Sequence, residues 1–249
     1  MRKIKFYTLY SVLCVLLFSS CHRQPVQVVS ATTEAIPVDA SADAIRDTDY
    51  IAHLAPIKAE LEREMNVEIG YAPEAMWVGS PECPMLNWAT DRLWEAAKQY
   101  YDGPVDIAIA NMGGMRCSWD AGPVTKEMVF ELMPFDNQLV VLTLKGSDII
   151  ALCESFARYG AQGVAGMRVK IVDNQLADVQ IGGKAVDPNA TYTVATSDYL
   201  SGGADHMEAL KNYSERWNSD LLIRDLYLQA VKDQHLVGAD VDGRMTILP

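Results

Sequence analysis

Val105-Asp106-Ile107-Ala108-Ile109-Ala110-Asn111-Met112-Gly113-Gly114-Met115-Arg116 is the stretch from which the rest of the chain can be read. Its first half, residues 105–110, alternates β-branched and small side chains and predicts a buried strand. The strand stops at Asn111, and Gly113-Gly114 predict a turn where φ can be positive and backbone N–H groups lie exposed. Arg116 follows as a fixed cation with five donors, suited to a phosphate or a ribose edge. On these residues alone, a plain strand-to-turn junction accounts for the pattern equally well.

Two further pieces lie downstream. Pro134-Phe135-Asp136-Asn137 precedes the apolar run Leu139-Val140-Val141-Leu142, and Thr196-Ser197-Asp198-Tyr199-Leu200-Ser201-Gly202-Gly203-Ala204-Asp205 comes later. Asn-x-Gly-Gly-x-Arg, then Pro-Phe, then Asp-Tyr-Leu with a following Gly-Gly and Asp, in that order, resembles the C-terminal domain of the 5′-nucleotidase family. The resemblance runs from about residue 67 to the C-terminus. It implies a mixed α/β domain built as a four-layer α/β/β/α sandwich, which periodicity does not reveal.

The first twenty residues carry Arg2, Lys3 and Lys5, an apolar run from about Phe6 to Phe18, and then Ser19-Ser20-Cys21. A basic start, a short apolar core and small residues before a cleavage point predict a secretory leader over residues 1–20. The run is too short for a comfortable membrane span. The placement of Cys21 resembles a bacterial lipoprotein processing site, so Cys21 is expected to carry the lipid anchor. Residues 22–44 are small, polar and weakly patterned, and read as a flexible tether behind that cysteine. The remaining residues, 45–249, form one domain of ordinary size. The expected location is the cell envelope, as a periplasmic or outer-membrane lipoprotein.

Formal net charge is −12, and loss of Arg2, Lys3 and Lys5 with the leader would take it to −15. Such a surface repels nucleic acid and anionic membranes, so a nucleic-acid partner is excluded. A nucleotide would also be repelled at long range, and its site must supply local positive charge. Cys83, Cys117 and Cys153 are an odd set without a Cys-x-x-Cys pair, which rules out a disulfide framework. They read as buried thiols or one optional pair.

Along the chain, residues 45–66 predict an amphipathic helix that Asp47 or Thr48 can cap, packed on the domain's edge. Residues 67–71 predict a strand that residues 76–79 extend or pair with. Residues 84–101 predict a helix with Met85, Leu86, Ala89, Leu93, Ala96 and Ala97 inward, and with Trp88 and Trp94 in the core. Helices over 126–133 (capped by Thr125), 146–158 and 219–232 follow, with Leu222, Ile223, Leu226, Tyr227, Ala230 and Val231 inward in the last. Strands are predicted over 139–144, 167–172, 176–181, 192–195 and 244–248. The strand at 139–144 is apolar enough to be covered on both faces.

For the site, Phe135 and Tyr199 fall at strand–loop junctions, where a ring is either a core aromatic or faces outward from a rigid scaffold. The resemblance implies the second, because the family clamps a nucleobase between two such rings. It also implies that Asn111 meets a base edge and that Asp205 accepts from ribose hydroxyls. Arg116 reaches ribose or phosphate beside the Gly113-Gly114 loop. His206 could contact phosphate or be exposed or structurally bonded. Two departures stand out. Residues 82–91 resemble the family's Glu-x-x-x-Gly-Asn-Leu-x-x-Asp helix, but Pro81 stands where members commonly place a substrate-contacting Arg. The Gly202-Gly203 pair also lies one place early relative to Asp205.

Hydrolysis in the family uses two metal ions held by His, Asp and Asn ligands in a separate N-terminal phosphoesterase domain. Here His22, His53, His206 and His235 are scattered, with no Gly-Asn-His run and no Gly-x-Ser-x-Gly elbow. No catalytic residue, cofactor or metal site is therefore expected in this chain. Divalent metals are expected only in a partner. The reading is a nucleotide-recognition half of a split 5′-nucleotidase that works with a separate metallophosphoesterase chain in nucleotide catabolism. The alternative is a stand-alone envelope lipoprotein that binds nucleosides or nucleotides.

Overall fold

A computed structural model of the chain describes residues 30–37 and 46–249. Residues 30–37 are exposed and carry no regular structure. The leader, the Cys21 anchor and most of the tether lie outside the described residues. Residues 52–249 form one compact unit.

Helix α1 (Thr48–Met65) leads into strand β1 (Glu68–Ala72) and helix α2 (Pro84–Tyr100). Strand β2 (Ile107–Ala110) ends in a single 3₁₀ turn at Met112–Gly114. Then come β3 (Gly122–Thr125), α3 (Lys126–Leu132), β4 (Gln138–Lys145) and α4 (Gly146–Tyr159). A β-rich run follows: β5 (Gly163–Ala165), β6 (Met167–Val172), β7 (Gln175–Ile181), β8 (Lys184–Ala185) and β9 (Thr191–Ser197). The short helix α5 (Asp198–Ser201), β10 (Glu215–Leu222), α6 (Ile223–Gln234) and β11 (Met245–Leu248) complete the order.

A five-stranded sheet in the order β10-β4-β9-β2-β5 forms the centre. Its β2–β9 pair is parallel, and the others are antiparallel. Alternation along the strands sends successive side chains to opposite faces, so β2, β4, β5 and β9 each feed two cores. Ala108, Ala110, Leu139, Val141 and Ala195 join Leu86, Trp88 and Leu93 of α2 and Ile223, Tyr227 and Val231 of α6. Ile107, Ile109, Val140, Leu142 and Val194 join Ile149, Leu152 and Phe156 of α4 and Val169 and Ile171 of β6. The alanines on the α2 side let the helix lie close. Gly163 shows the same need, since a Cβ there would stand 2.5 Å from the Thr90 hydroxyl and 2.7 Å from Leu86. A second sheet, β11-β6-β7-β8, completes the mixed α/β sandwich, and α4 contacts both sheets.

The Glu82–Asp91 segment fastens the C-terminus. The buried Glu82 carboxylate accepts from the Asn87 amide at 2.7 Å and from the Asp242 and Met245 N–H groups at 2.9 and 3.5 Å. Arg244 donates to both oxygens of Asp91, at 2.6 and 3.2 Å, and to Asp242 at 3.0 Å. These bonds hold the approach to β11, which pairs in parallel with β6.

Several expectations are corrected. Helix α1 begins with Asp47 accepting from the Tyr50 N–H at 3.0 Å, as its cap implies, but none of its residues is buried. It does not pack an apolar face on the domain. Met76 pairs with Trp119 in an isolated bridge and leaves β1 to β3. Trp88 is buried against Trp119 and Tyr227, whereas Trp94 is only partly buried, with Lys98 over its ring. The helix expected over 219–232 starts at Ile223. Residues 219–222 belong to β10, and the Ser219 hydroxyl donates to the Leu139 carbonyl at 2.7 Å. Leu228, not foreseen as inward, is buried.

Candidate functional site

The sheet brings its chemistry to one end. Strand β2 delivers Asn111, the α3–β4 connection delivers Phe135 and Asn137, and β9 runs into α5 and delivers Tyr199 and Asp205. Asn111, Gly113, Gly114, Arg116, Phe135, Asn137, Tyr199 and Asp205 together line a cleft of about 310 Å³. Every residue singled out from the sequence as substrate-binding is in that lining. Asn137 is the addition. Its signal was its place in the Pro-Phe-Asp-Asn run, two residues past the ring.

The Gly113-Gly114 turn differs from expectation in mechanism. Neither glycine adopts positive φ. The turn is 3₁₀, with Gly114 N–H donating to the Asn111 carbonyl at 3.1 Å. Gly114 is needed for closeness instead, because a Cβ there would lie 2.7 Å from Asn111 Oδ1. At Gly113 the nearest atom to such a Cβ is 3.9 Å away. The Gln162 side chain accepts from the Met112 N–H at 2.8 Å and steadies the loop. Arg116 is exposed, and its guanidinium donates to the Gly113 carbonyl at 3.2 Å.

The two rings face solvent, Phe135 at 38% and Tyr199 at 49% relative exposure, so neither is a core aromatic. Their backbones are nevertheless fixed. Asp198 Oδ1 accepts from the Gln138 N–H at 3.0 Å and from the Tyr199 N–H at 2.8 Å, which ties both ring-bearing segments together. Arg224 of α6 donates to the Phe135 carbonyl at 3.3 Å and to Asp136 at 2.6 Å, and the Ile223 N–H donates to the Asn137 carbonyl at 2.9 Å. Ser197 caps α5 by accepting from the Leu200 N–H at 3.1 Å.

Asp205 is the hub. Its Oδ2 accepts from the Asn111 amide at 2.5 Å, and its Oδ1 accepts from the Tyr199 hydroxyl at 3.0 Å. That hydrogen bond, followed by the carboxylate's charge, raises the Tyr199 phenol above its ordinary pKa. Left-handed backbone accommodates the early glycine pair: Gly203 takes φ 82°, and Asp205 and His206 take φ 53° and 63°. His206 is absent from the cleft lining and stacks on the Tyr159 ring, with centroids 4.0 Å apart.

A second cleft of about 370 Å³ is lined by Asp91, Trp94, Arg168, Asp242 and Arg244. Its Arg244 guanidinium is spent on Asp91 and Asp242, which marks it as part of the C-terminal fastening. Among the described residues no group of three or more His, Cys, Asp or Glu is placed to hold a metal ion. Their donor set therefore does not fit a two-metal centre. Cys83 and Cys153 are buried free thiols and Cys117 a partly buried one, and burial raises Cys153 and Cys117 above the ordinary thiol range. Among the described residues no helix is long and apolar enough to cross a membrane.

Fold and cleft thus define a mixed α/β recognition domain with solvent-facing rings, a guanidinium and a carboxylate hub. The family described as 5′-nucleotidase, C-terminal domain, matches residues 68–212, and the chain belongs to that family. Protein UshA of Yersinia enterocolitica is 26% identical over 188 residues, covering 74% of this chain and 34% of the relative. The trifunctional nucleotide phosphoesterase YfkN of Bacillus subtilis is 26% identical over 242 residues, covering 88% of this chain and 16% of that protein. Among solved structures, the 5′-nucleotidase precursor from Thermus thermophilus shares the fold. Its TM-score is 0.70 at 24% identity, over 80% of this chain and 42% of the other. The chain therefore spans about a third or less of the two curated relatives.

Proposed function

We propose that this chain binds a nucleotide or nucleoside in the Asn111–Tyr199 cleft. It serves as the recognition half of a split 5′-nucleotidase, with a metallophosphoesterase on a separate polypeptide. The observation that carries the reading is the convergence, in one cleft, of two exposed rings, an amide, a carboxylate and a guanidinium from three separate segments. Stacking of a base on one aromatic face contributes about 1–3 kcal/mol and tolerates any base. Asn111 and Asn137 supply donors and acceptors for a base edge, and Asp205 accepts from sugar hydroxyls. Arg116 supplies the local cation that an acidic chain needs to hold a phosphate.

In-line attack on phosphorus needs metal-held oxygens and an activated water. The described residues offer no such ligand set, so the partner would hold the metals and this chain would hold and orient the substrate. Orientation is a substantial share of such a reaction, because it converts a bimolecular encounter into a positioned one. With Cys21 lipidated, the domain would stand on a tether at an envelope membrane. A single acyl chain binds only marginally, so several chains would be needed.

The test is phosphate release from AMP or a UDP-sugar with Mn²⁺ or Zn²⁺. The chain alone should release none, a metallophosphoesterase partner should restore release, and Arg116→Ala should slow the restored turnover. Release by the chain alone, abolished by a point mutation within residues 46–249, would overturn the split-enzyme reading. Binding that no phosphoesterase converts to turnover would favour the stand-alone binder.

A further inference from the structure

The Tyr199 hydroxyl is the one atom of the two rings that stacking does not use, since a phenylalanine there would offer the same face. It donates to Asp205 Oδ1 at 3.0 Å while the Asn111 amide takes Oδ2 at 2.5 Å. Asp205 sits on left-handed backbone at φ 53°, followed by His206 at φ 63°. The two hydrogen bonds aim its carboxylate from this bent loop. A carboxylate offers about four lone-pair sites, two on each oxygen. Tyr199 and Asn111 each occupy one, which leaves one on each oxygen at a half-buried position on the cleft wall. Two adjacent acceptors held in one plane match two adjacent hydroxyl donors, the pattern of a ribose 2′,3′-diol. A 2′-deoxyribose offers one donor there and leaves the other site to water.

We infer that the Tyr199 hydroxyl is a positioning group that sets sugar specificity: by fixing the Asp205 carboxylate it makes the cleft select ribonucleosides and ribonucleotides over their 2′-deoxy counterparts. This rests on the nucleotide reading of the cleft and deepens it. The hydroxyl acts only as a donor to an anion, and the raised phenol pKa keeps its proton in place. Without it, Asp205 keeps the Asn111 bond alone and can turn about that single tether. The second acceptor then loses its orientation while the ring still stacks.

The experiment is calorimetric titration of the full chain with adenosine, uridine and their 2′-deoxy forms, in wild type, Tyr199→Phe and Phe135→Ala. One extra hydrogen bond to a half-exposed carboxylate should favour the ribo form by about tenfold. Tyr199→Phe should shrink that preference to about twofold or threefold, because the ribonucleoside loses more affinity than the deoxy form. Phe135→Ala should weaken both forms alike and keep the preference. A preference left intact in Tyr199→Phe, or equal losses for both sugars, overturns the inference. Equal wild-type affinity for the two sugars overturns it too and leaves the aromatic clamp standing, whereas absence of binding by either sugar overturns the clamp itself. Melting curves exclude an unfolded variant, since an exposed Tyr→Phe change leaves the core untouched.

Discussion

Replacing Gly114 with Ala should weaken ligand binding by about tenfold, and replacing its neighbour Gly113 should not. A Cβ on Gly114 would meet Asn111 Oδ1 at 2.7 Å, with Cγ and Nδ2 at 3.3 and 3.4 Å. The Asn111 amide must therefore swing away, and its bond to Asp205 is lost. A hydrogen bond to a charged group contributes about 1.5–3 kcal/mol when buried. Asn111 and Asp205 are only half-buried, so a value near the lower bound, about 1.4 kcal/mol or one decade in affinity, is appropriate. Gly114 has no positive φ, so alanine fits its backbone and the fold should lose less than about 1 kcal/mol. At Gly113 a Cβ meets nothing nearer than 3.9 Å. Calorimetric titration with a nucleoside, alongside thermal melts, reads both variants. Equal losses at the two glycines, or wild-type affinity in Gly114→Ala, would refute the close-approach argument.

Three further outcomes follow from the geometry. Arg224→Met should weaken nucleoside affinity by about threefold without direct ligand contact, because it frees the Phe135 carbonyl; the Arg224–Asp136 pair is too exposed at Asp136 to move the melting temperature much. Hydrogen bonding from Arg244 holds the Asp242 carboxyl below its ordinary value of 3.8. Its stabilising contribution is therefore complete above that value and lost as pH falls through the lower, folded one. The melting-temperature gap between wild type and Asp242→Asn should narrow as pH falls below 3.8, and a constant gap would contradict the Arg244 fastening. A Cys21→Ser precursor should escape lipidation and leave the membrane fraction, and mass spectrometry of an unmodified mature N-terminus elsewhere would contradict the anchor.

What the sequence made legible is what local patterning controls. Residues 107–110, 138–145 and 191–197 are strands because their apolar runs fill two cores at once, and that needs no knowledge of partners. Thr125 capping α3 and Gly160 ending α4 at φ 122° are equally local signals. The failures are tertiary. Residues 219–222 carry a helical spacing into α6, yet β4 offers them an edge to pair with and the Leu139 carbonyl captures Ser219. Strand β3 went unforeseen because four residues with a proline form a strand only when β1 lies alongside. Helix α1 has an amphipathic spacing, but periodicity cannot supply a surface for it to cover. In the cleft, the resemblance carried by three ordered motifs located seven lining positions. The Tyr199–Asp205–Asn111 bonds stayed hidden, because one joins residues 94 positions apart and both depend on a loop whose φ values no motif states.

The central claim is that the cleft between Phe135 and Tyr199 recognises a nucleobase with its sugar. Titration calorimetry of the full chain against a panel of nucleosides, nucleoside monophosphates and nucleotide sugars tests it most directly. The account predicts saturable binding at one site, weakened by about 1–3 kcal/mol in Phe135→Ala. No heat of binding from any of these compounds at millimolar concentration would contradict it.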